Sequence, residues 1–118
     1  MIEFQVAWPP SELSPNKRLH WAQAAKFKKM YRSTCAWDVI AQKVGPVPDG
    51  PLLLDLTFVP PDRRSYDRDN LVARMKSGLD GVADALKIND KRFSTLAARV
   101  STDSLGGFVR VRISKESS

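Results

Sequence analysis

Two aspartates two positions apart, Asp67 and Asp69, stand among arginines in the stretch RRSYDRDNL, and Asp90 follows about twenty residues later. Carboxylates that converge on one point repel each other unless a cation neutralises them. Hard oxygen ligands select Mg²⁺ or Mn²⁺ over zinc or copper. An ion held in this way polarises a phosphodiester and activates water. The residues therefore suggest a metal site, provided that the chain after the intervening helix folds back over the sheet.

A purely structural role for the same aspartates stays open. Asp67 or Asp69 makes a good helix N-cap, which is worth about 1 kcal/mol, and Asn89-Asp90 makes a good turn. A D-x-D pair also occurs in nucleotide-sugar sites of glycosyltransferases. The chain is short for such an enzyme, which would have no obvious use for the basic segment described next.

Positive charge is concentrated in one segment of a chain whose net charge is +6. Between Leu13 and Trp37 there is no acidic residue and there are six basic ones. A concentrated cationic surface indicates a polyanionic partner, with nucleic acid first. The alternative is a solvated helix face that keeps the protein in solution.

Composition sets the remaining limits. The 118 residues predict a single domain, 1–118, and the single Cys35 permits no internal disulfide, which fits a reducing cytosol. One cysteine and one histidine exclude zinc-finger ligand sets. No apolar run approaches the ~18–20 residues of a membrane span, and the N-terminal MIEFQVAWPP has no signal-peptide pattern. We therefore expect a cytoplasmic protein with no membrane partner.

Hydrophobic periodicity predicts an α/β (α+β) fold with the order β-α-β-α-β-β, in which helices pack on a four-stranded mixed sheet. Strands are predicted at Ile2 to Trp8, in LLLDLTFVP, at Arg92 to Thr102 and at Gly107 to Lys115, the last two as an antiparallel hairpin. A basic helix, capped by Ser14 or Asn16, is predicted to end near Val44, with Phe27, Met30, Trp37 and Ile40 on its apolar side. A second runs from Asn70 to about Lys87, with Asn89 as its left-handed terminator and with Gly78 and Gly81 allowing close packing on the sheet.

Several motifs resemble, in order, those of the RusA family of Holliday-junction endonucleases. They are the opening strand that ends in WPP, SPNKRLHW before a basic helix, PPDRRSYDRDNL after a strand, Leu79-Asp80 within the next helix, and INDKRF. The most specific element is D-x-D-N followed about twenty residues later by an (N/D)-D pair, which is Asn89-Asp90 in this chain. The resemblance covers nearly the whole chain and suggests a phage- or prophage-type member that acts in the bacterial cytosol.

The resemblance implies a homodimeric, Mg²⁺- or Mn²⁺-dependent endodeoxyribonuclease that cuts four-way DNA junctions, with Asp67, Asp69 and Asp90 as metal ligands and catalytic residues. The family's lysine falls four residues after the second Asp, where this chain has Ala73. Lys76 is the better candidate for the role of this catalytic lysine, and Arg74 is the second candidate. We expect DNA contacts from a larger set: Lys17, Arg18, His20, Lys26, Lys28, Lys29, Arg63, Arg64, Arg68, Asn70 and Arg74. A non-catalytic DNA-binding module and a general metal-dependent nuclease remain alternatives.

Overall fold

The computed structural model describes residues 1–116 and confirms the predicted order of strands and helices. The strands are β1 (Ile2–Ala7), β2 (Leu52–Val59), β3 (Phe93–Val100) and β4 (Phe108–Lys115). The helices are α1 (Trp21–Ala41), α2 (Arg68–Arg74) and α3 (Lys76–Leu86). Single 3-10 turns occur at Ser11–Leu13 and Asp90–Arg92. Within residues 1–116, no helix combines the length and apolarity that crossing a bilayer requires.

The four strands form one mixed sheet in the order β1-β4-β2-β3. β4 is antiparallel to both β1 and β2, and β3 is parallel to β2. The predicted hairpin between the last two strands is therefore wrong. The connection from residue 101 to residue 107 carries the chain past β2, so that β4 is inserted between β1 and β2. β1 and β3 are left as the two edges of the sheet.

β2 is the central strand that its apolar run predicts. Leu52, Leu54, Leu56 and Phe58 are buried and alternate with half-buried residues. This alternation places the buried side chains on the sheet face covered by the helices, because successive side chains of a strand point to opposite faces. Val111 and its neighbours on β4 complete the same layer of the core.

α1 buries a different face from the one predicted. Tyr31, Cys35 and Val39, spaced by four residues, are its buried side chains. Trp37 is 68% exposed and Met30 is 53% exposed, although both were assigned to the apolar side. The helix also begins later than expected, because the His20 imidazole, rather than Ser14 or Asn16, caps it by accepting a hydrogen bond from Ala22 N.

The second predicted helix is divided at Met75 into α2 and α3. α3 ends at Lys87, which has the left-handed φ of 58° that was expected at Asn89. The two glycines of α3 allow close packing on α1 and not on the sheet. A Cβ at Gly78 would overlap the Tyr31 ring, and one at Gly81 would overlap the backbone oxygen of Arg32.

Candidate functional site

The D-x-D pair lies at the start of α2, just beyond the carboxyl end of β2. Asp67 is the N-cap of α2, and its Oδ1 accepts a 2.9 Å hydrogen bond from Asp69 N. Both aspartates are exposed, and Asp69 lies 3.3 Å from Arg68 Nε. The capping role that the sequence allowed is therefore confirmed for Asp67. Capping engages one carboxylate oxygen of Asp67 and leaves Asp67 and Asp69 together at the surface.

Arg99, near the carboxyl end of β3, faces this pair across a shallow cavity of about 380 Å³. Asp67, Asp69 and Arg99 line the cavity together with Tyr66 and Val100. The Arg99 guanidinium is itself paired with the Asp55 carboxylate at 3.1 Å. The cavity thus combines carboxylate oxygens with a cation at the carboxyl ends of two parallel strands, the position at which open α/β sheets bind ligands.

Asp90 lies elsewhere, at the amino end of β3. It lines a cavity of about 210 Å³ with Lys76, Asp80 and the apolar side chains of Leu79 and Leu96. Lys76 and Asp80 are one helical turn apart on α3, which places their side chains on the same side of the helix. The structure therefore brings the predicted lysine to Asp90 and not to the D-x-D pair.

The length of β3 separates the two acidic groups. Phe93 and Val100 are the ends of this eight-residue strand, which puts them about 23 Å apart at roughly 3.3 Å per residue. The 3-10 turn at Asp90–Arg92 leads straight into β3, so the chain does not fold back as the prediction required. Among residues 1–116 there is no group of three His, Cys, Asp or Glu side chains placed to share a metal ion. The fold therefore does not bring the carboxylates of Asp67, Asp69 and Asp90 together within one copy of the chain.

Most of the predicted DNA contacts are exposed, and all of these except His20 are lysines or arginines. The exposed residues are Lys17, Arg18, His20, Lys26, Lys28, Lys29, Arg63, Arg64 and Arg68. Lys28 lies on the α1 side of a cavity of about 270 Å³ that it shares with Lys76 and Asp80. Arg64 is paired with Asp62, and hydrogen bonds from its side chain and backbone lower the pKa of Asp62 to about 2.

Two of the predicted DNA contacts have partners within the fold instead. Arg74 is only 7% exposed, and its guanidinium donates to Pro9 O at 2.6 Å and to Pro10 O at 3.2 Å. These bonds give Arg74 a role within the fold, and its predicted contact with DNA or replacement of the catalytic lysine stays a prediction. Asn70 is half-buried, and its Nδ2 donates to Ser14 Oγ at 3.0 Å, which ties α2 to the loop before α1.

Asp80 and Arg99 are the site residues that were not predicted. Asp80 could have been found from the sequence, because it follows Lys76 by four residues in a helical segment. Arg99 could not have been found in this way, since it is one of several arginines in the strand-forming segments of the second half of the chain. Its position beside Asp67 depends on the parallel pairing of β3 with β2.

No family model matches the chain. The chain is 41% identical over 99 residues to an uncharacterized protein of Xylella fastidiosa (strain Temecula1 / ATCC 700964). The aligned region covers 79% of this chain and 63% of that relative. The chain therefore spans less than two thirds of the length of the relative.

Proposed function

We propose that the chain is a metal-dependent endodeoxyribonuclease that cuts branched DNA, with the four-way junction as its substrate. The observation that carries the proposal is the exposed Asp67–Asp69 pair, which lies at the carboxyl ends of two parallel strands with Arg99 facing it. The basic residues of α1 and of the loop before it supply the affinity for a polyanion.

The D-x-D pair suits a hard divalent cation. Mg²⁺ keeps several of its waters and is commonly bound through one or two carboxylates together with phosphate oxygens of the substrate. Two exposed carboxylates are therefore enough for Mg²⁺ or Mn²⁺ once DNA is present. When bound, the ion would supply Lewis-acid polarisation of the phosphodiester and activation of water. Asp67 and Asp69 would hold the ion, and Arg99 would hold a phosphate beside it.

Asp90 and Lys76 take part in this proposal through a second copy of the chain. Within one copy the length of β3 keeps Asp90 away from the D-x-D pair. A two-fold dimer presents equivalent residues from both copies at one interface. We infer that Asp90 and Lys76 of one copy act beside Asp67 and Asp69 of the other, with Lys76 stabilising the negative charge that develops on the phosphate.

The proposed DNA path follows exposed lysines and arginines and includes His20. It runs from Lys17, Arg18 and His20 along Lys26, Lys28 and Lys29 and includes Arg63, Arg64 and Arg68. These residues contact phosphates and carry little base specificity. The proposal places the protein in the bacterial cytosol, where branched DNA arises.

Cleavage of an end-labelled synthetic four-way junction tests this function. We expect incision with Mg²⁺ or Mn²⁺ and none with EDTA, and we expect an unlabelled junction to compete better than duplex, flap or single strand. Equal competition by all four would indicate a general nuclease. Binding of the junction without incision under any divalent cation would favour the non-catalytic DNA-binding module.

A further inference from the structure

One cavity of the protein is lined by cations that have no acidic partner. It has a volume of about 270 Å³, and Lys28 of α1, Arg74 at the end of α2 and Lys76 at the start of α3 line it. In the part of the chain that the structure describes, none of these three side chains forms an ion pair, whereas six arginines elsewhere are paired with carboxylates. Positive charge is therefore left uncompensated at this cavity.

The charge of Arg74 is the most unusual of the three, because the side chain is buried. Its guanidinium donates to Pro10 O through Nε and to Pro9 O through Nη2. These carbonyls hold the group in place, but they carry no net charge that could neutralise it. Burying a charge without a counter-charge is unfavourable, and buried charges in proteins are normally paired. An anion in the cavity would provide the counter-charge.

A hydroxyl group of the same cavity also lacks a partner. Ser77 lines the cavity, its Oγ is buried, and no group within residues 1–116 forms a hydrogen bond with it. Buried polar groups are almost always hydrogen-bonded, so an unpaired one calls for an acceptor from outside the chain. Rotation about χ1 between staggered positions can turn a serine hydroxyl towards a ligand. Ser77 and Arg74 thus point to the same kind of ligand, an anion with oxygen atoms.

The charge and size of the cavity fit a small, doubly charged anion. Asp80 also lines the cavity, and three cations against one carboxylate leave an excess of two positive charges. A phosphate monoester carries about −1.5 to −2 charges at pH 7 and offers three acceptor oxygens. The cavity is slightly smaller than the roughly 300–1,000 Å³ of pockets for drug-sized ligands, which suits a single phosphate group. Leu13 and Pro15 add apolar walls, which strengthen the attraction between charges by excluding water.

We propose that this cavity binds a phosphate monoester. Lys28 and Lys76 donate to its oxygens from two different helices, and Arg74 supplies a fixed positive charge beside them. The Ser77 hydroxyl donates to a further oxygen. Two sources share this chemistry, namely a free phosphate compound and the terminal phosphate of a DNA strand. The inference rests on the charges of the cavity and does not require the proposed nuclease activity.

Titration of the full chain with inorganic phosphate, which has the same dianionic form, tests the proposal. Residue-resolved NMR should show saturable shifts of the Ala73 and Ser77 amides, with sodium chloride at equal ionic strength as the reference. Dimethyl phosphate has a single charge and two of its oxygens esterified. It should bind about tenfold more weakly or worse, and equal affinity for the two compounds would contradict a site for a dianion.

Lys28→Gln and Lys43→Gln are a matched pair of variants. Both lysines are exposed, but Lys43 follows the end of α1 and does not line the cavity. Lys28→Gln should raise the phosphate dissociation constant about tenfold, because a charge-assisted hydrogen bond is lost. Lys43→Gln should change it by less than about twofold, since solvent screens a distant exposed charge.

Ser77→Ala separates a ligand-binding role from a structural one. It should weaken phosphate binding about threefold, because one hydrogen bond to the ligand is lost. Without phosphate its Tm should equal or exceed that of the wild type, because the hydroxyl has no bond within the fold to lose. A lower Tm without phosphate, together with unchanged phosphate binding, would assign the hydroxyl to the fold and contradict its role in the site.

A short oligothymidylate with and without a 5′-phosphate distinguishes the two sources of the ligand. If the phosphorylated form binds more tightly and displaces inorganic phosphate, the site accepts the end of a DNA strand. If both forms bind equally and inorganic phosphate stays bound, the ligand is a free phosphate compound.

Two results would overturn the proposal as a whole. One is a set of phosphate-induced shifts no larger than those caused by sodium chloride at the same ionic strength. The other is an equal effect of Lys28→Gln and Lys43→Gln on the phosphate dissociation constant, because that would indicate nonspecific attraction by the net charge. Neither result involves incision of DNA, so a failure here is distinguishable from an absence of nuclease activity.

Discussion

Arg74 Nη2 donates a 2.6 Å hydrogen bond to Pro9 O, which joins the end of α2 to the turn after β1. Nε of the same side chain donates to Pro10 O at 3.2 Å. Burial is the main cause of the lowered pKa of Arg74. A cation that is removed from water in this way is held in place by the carbonyls around it, and its contribution is structural.

Arg74→Ala should therefore destabilise the protein by about 2–3 kcal/mol, since hydrogen bonds to charged groups contribute roughly 1.5–3 kcal/mol and two carbonyls lose their donor. Urea denaturation measures the change. Arg63→Ala removes the same charge from an exposed position and should change the free energy of unfolding by less than about 0.5 kcal/mol. Equal effects of the two substitutions would contradict a structural role for Arg74.

Alkaline stability should depend on Cys35. Burial raises the pKa of this thiol from 9.0 to about 12. Because the pKa is higher in the folded state, the thiol contributes stability below pH 9, and this contribution is lost as the pH rises from about 9 to 12. Cys35→Ala should flatten the fall in the free energy of unfolding over this interval, measured by urea denaturation at successive pH values. An unchanged slope would show that the thiol does not titrate in this way.

The basic residues of α1 should determine the salt dependence of DNA binding. For Lys26→Gln combined with Lys29→Gln, the slope of log Kd against log salt should fall by about 1.8, since each lost phosphate contact contributes roughly 0.9. Lys43→Gln combined with Lys115→Gln removes the same charge from exposed positions outside the proposed path. If both pairs lowered the slope equally, net charge and not a defined path would be responsible.

The strands were predictable and their order was not. Alternation and apolar runs predict all four strands, and β2 is central as its leucines suggest. β4, however, has two neighbours, β1 and β2, that lie far from it in sequence. A seven-residue connection is compatible with a hairpin and with a crossing of β2, so only tertiary pairing decides between them.

α1 shows a second limit of prediction from sequence, since the helix has two apolar stripes. Tyr31, Cys35 and Val39 repeat every four residues, and Met30, Trp37 and Ile40 also fall on one side of the helix. Periodicity identifies the helix but does not choose between the stripes. In the folded protein the side bearing Tyr31 and Cys35 is the one that packs against α3, where Gly78 and Gly81 leave room for it.

The candidate site was predictable in its residue types and not in its geometry. D-x-D after a central strand correctly locates two carboxylates at one exposed position. The placement of Asp90 depends on how α3 leads into β3, and the parallel pairing of β3 with β2 puts it at the opposite end of the strand. Neither relation can be read from spacing along the chain.

Mixing two inactive variants tests whether Asp90 acts in trans. Asp69→Asn and Asp90→Asn should each be inactive, but a heterodimer of the two retains one intact site. After co-refolding in equal amounts, half of the dimers are mixed, so nicking should recover to about a quarter of the wild-type rate. Each variant refolded alone provides the control. A mixture as inactive as its components would contradict a site shared between copies.

The central claim is that Asp67 and Asp69 hold the ion that supports incision of branched DNA. Its most direct test is the rate of Mg²⁺-dependent incision of a labelled four-way junction by Asp69→Asn, with the exposed Asp103→Asn as the matched control. We predict a loss of about 100-fold or more for Asp69→Asn, because the ion provides several kcal/mol of charge stabilisation. Junction binding should be retained or tightened, since a negative charge is removed, and Asp103→Asn should cut like the wild type. Incision by Asp69→Asn at the wild-type rate would contradict the account.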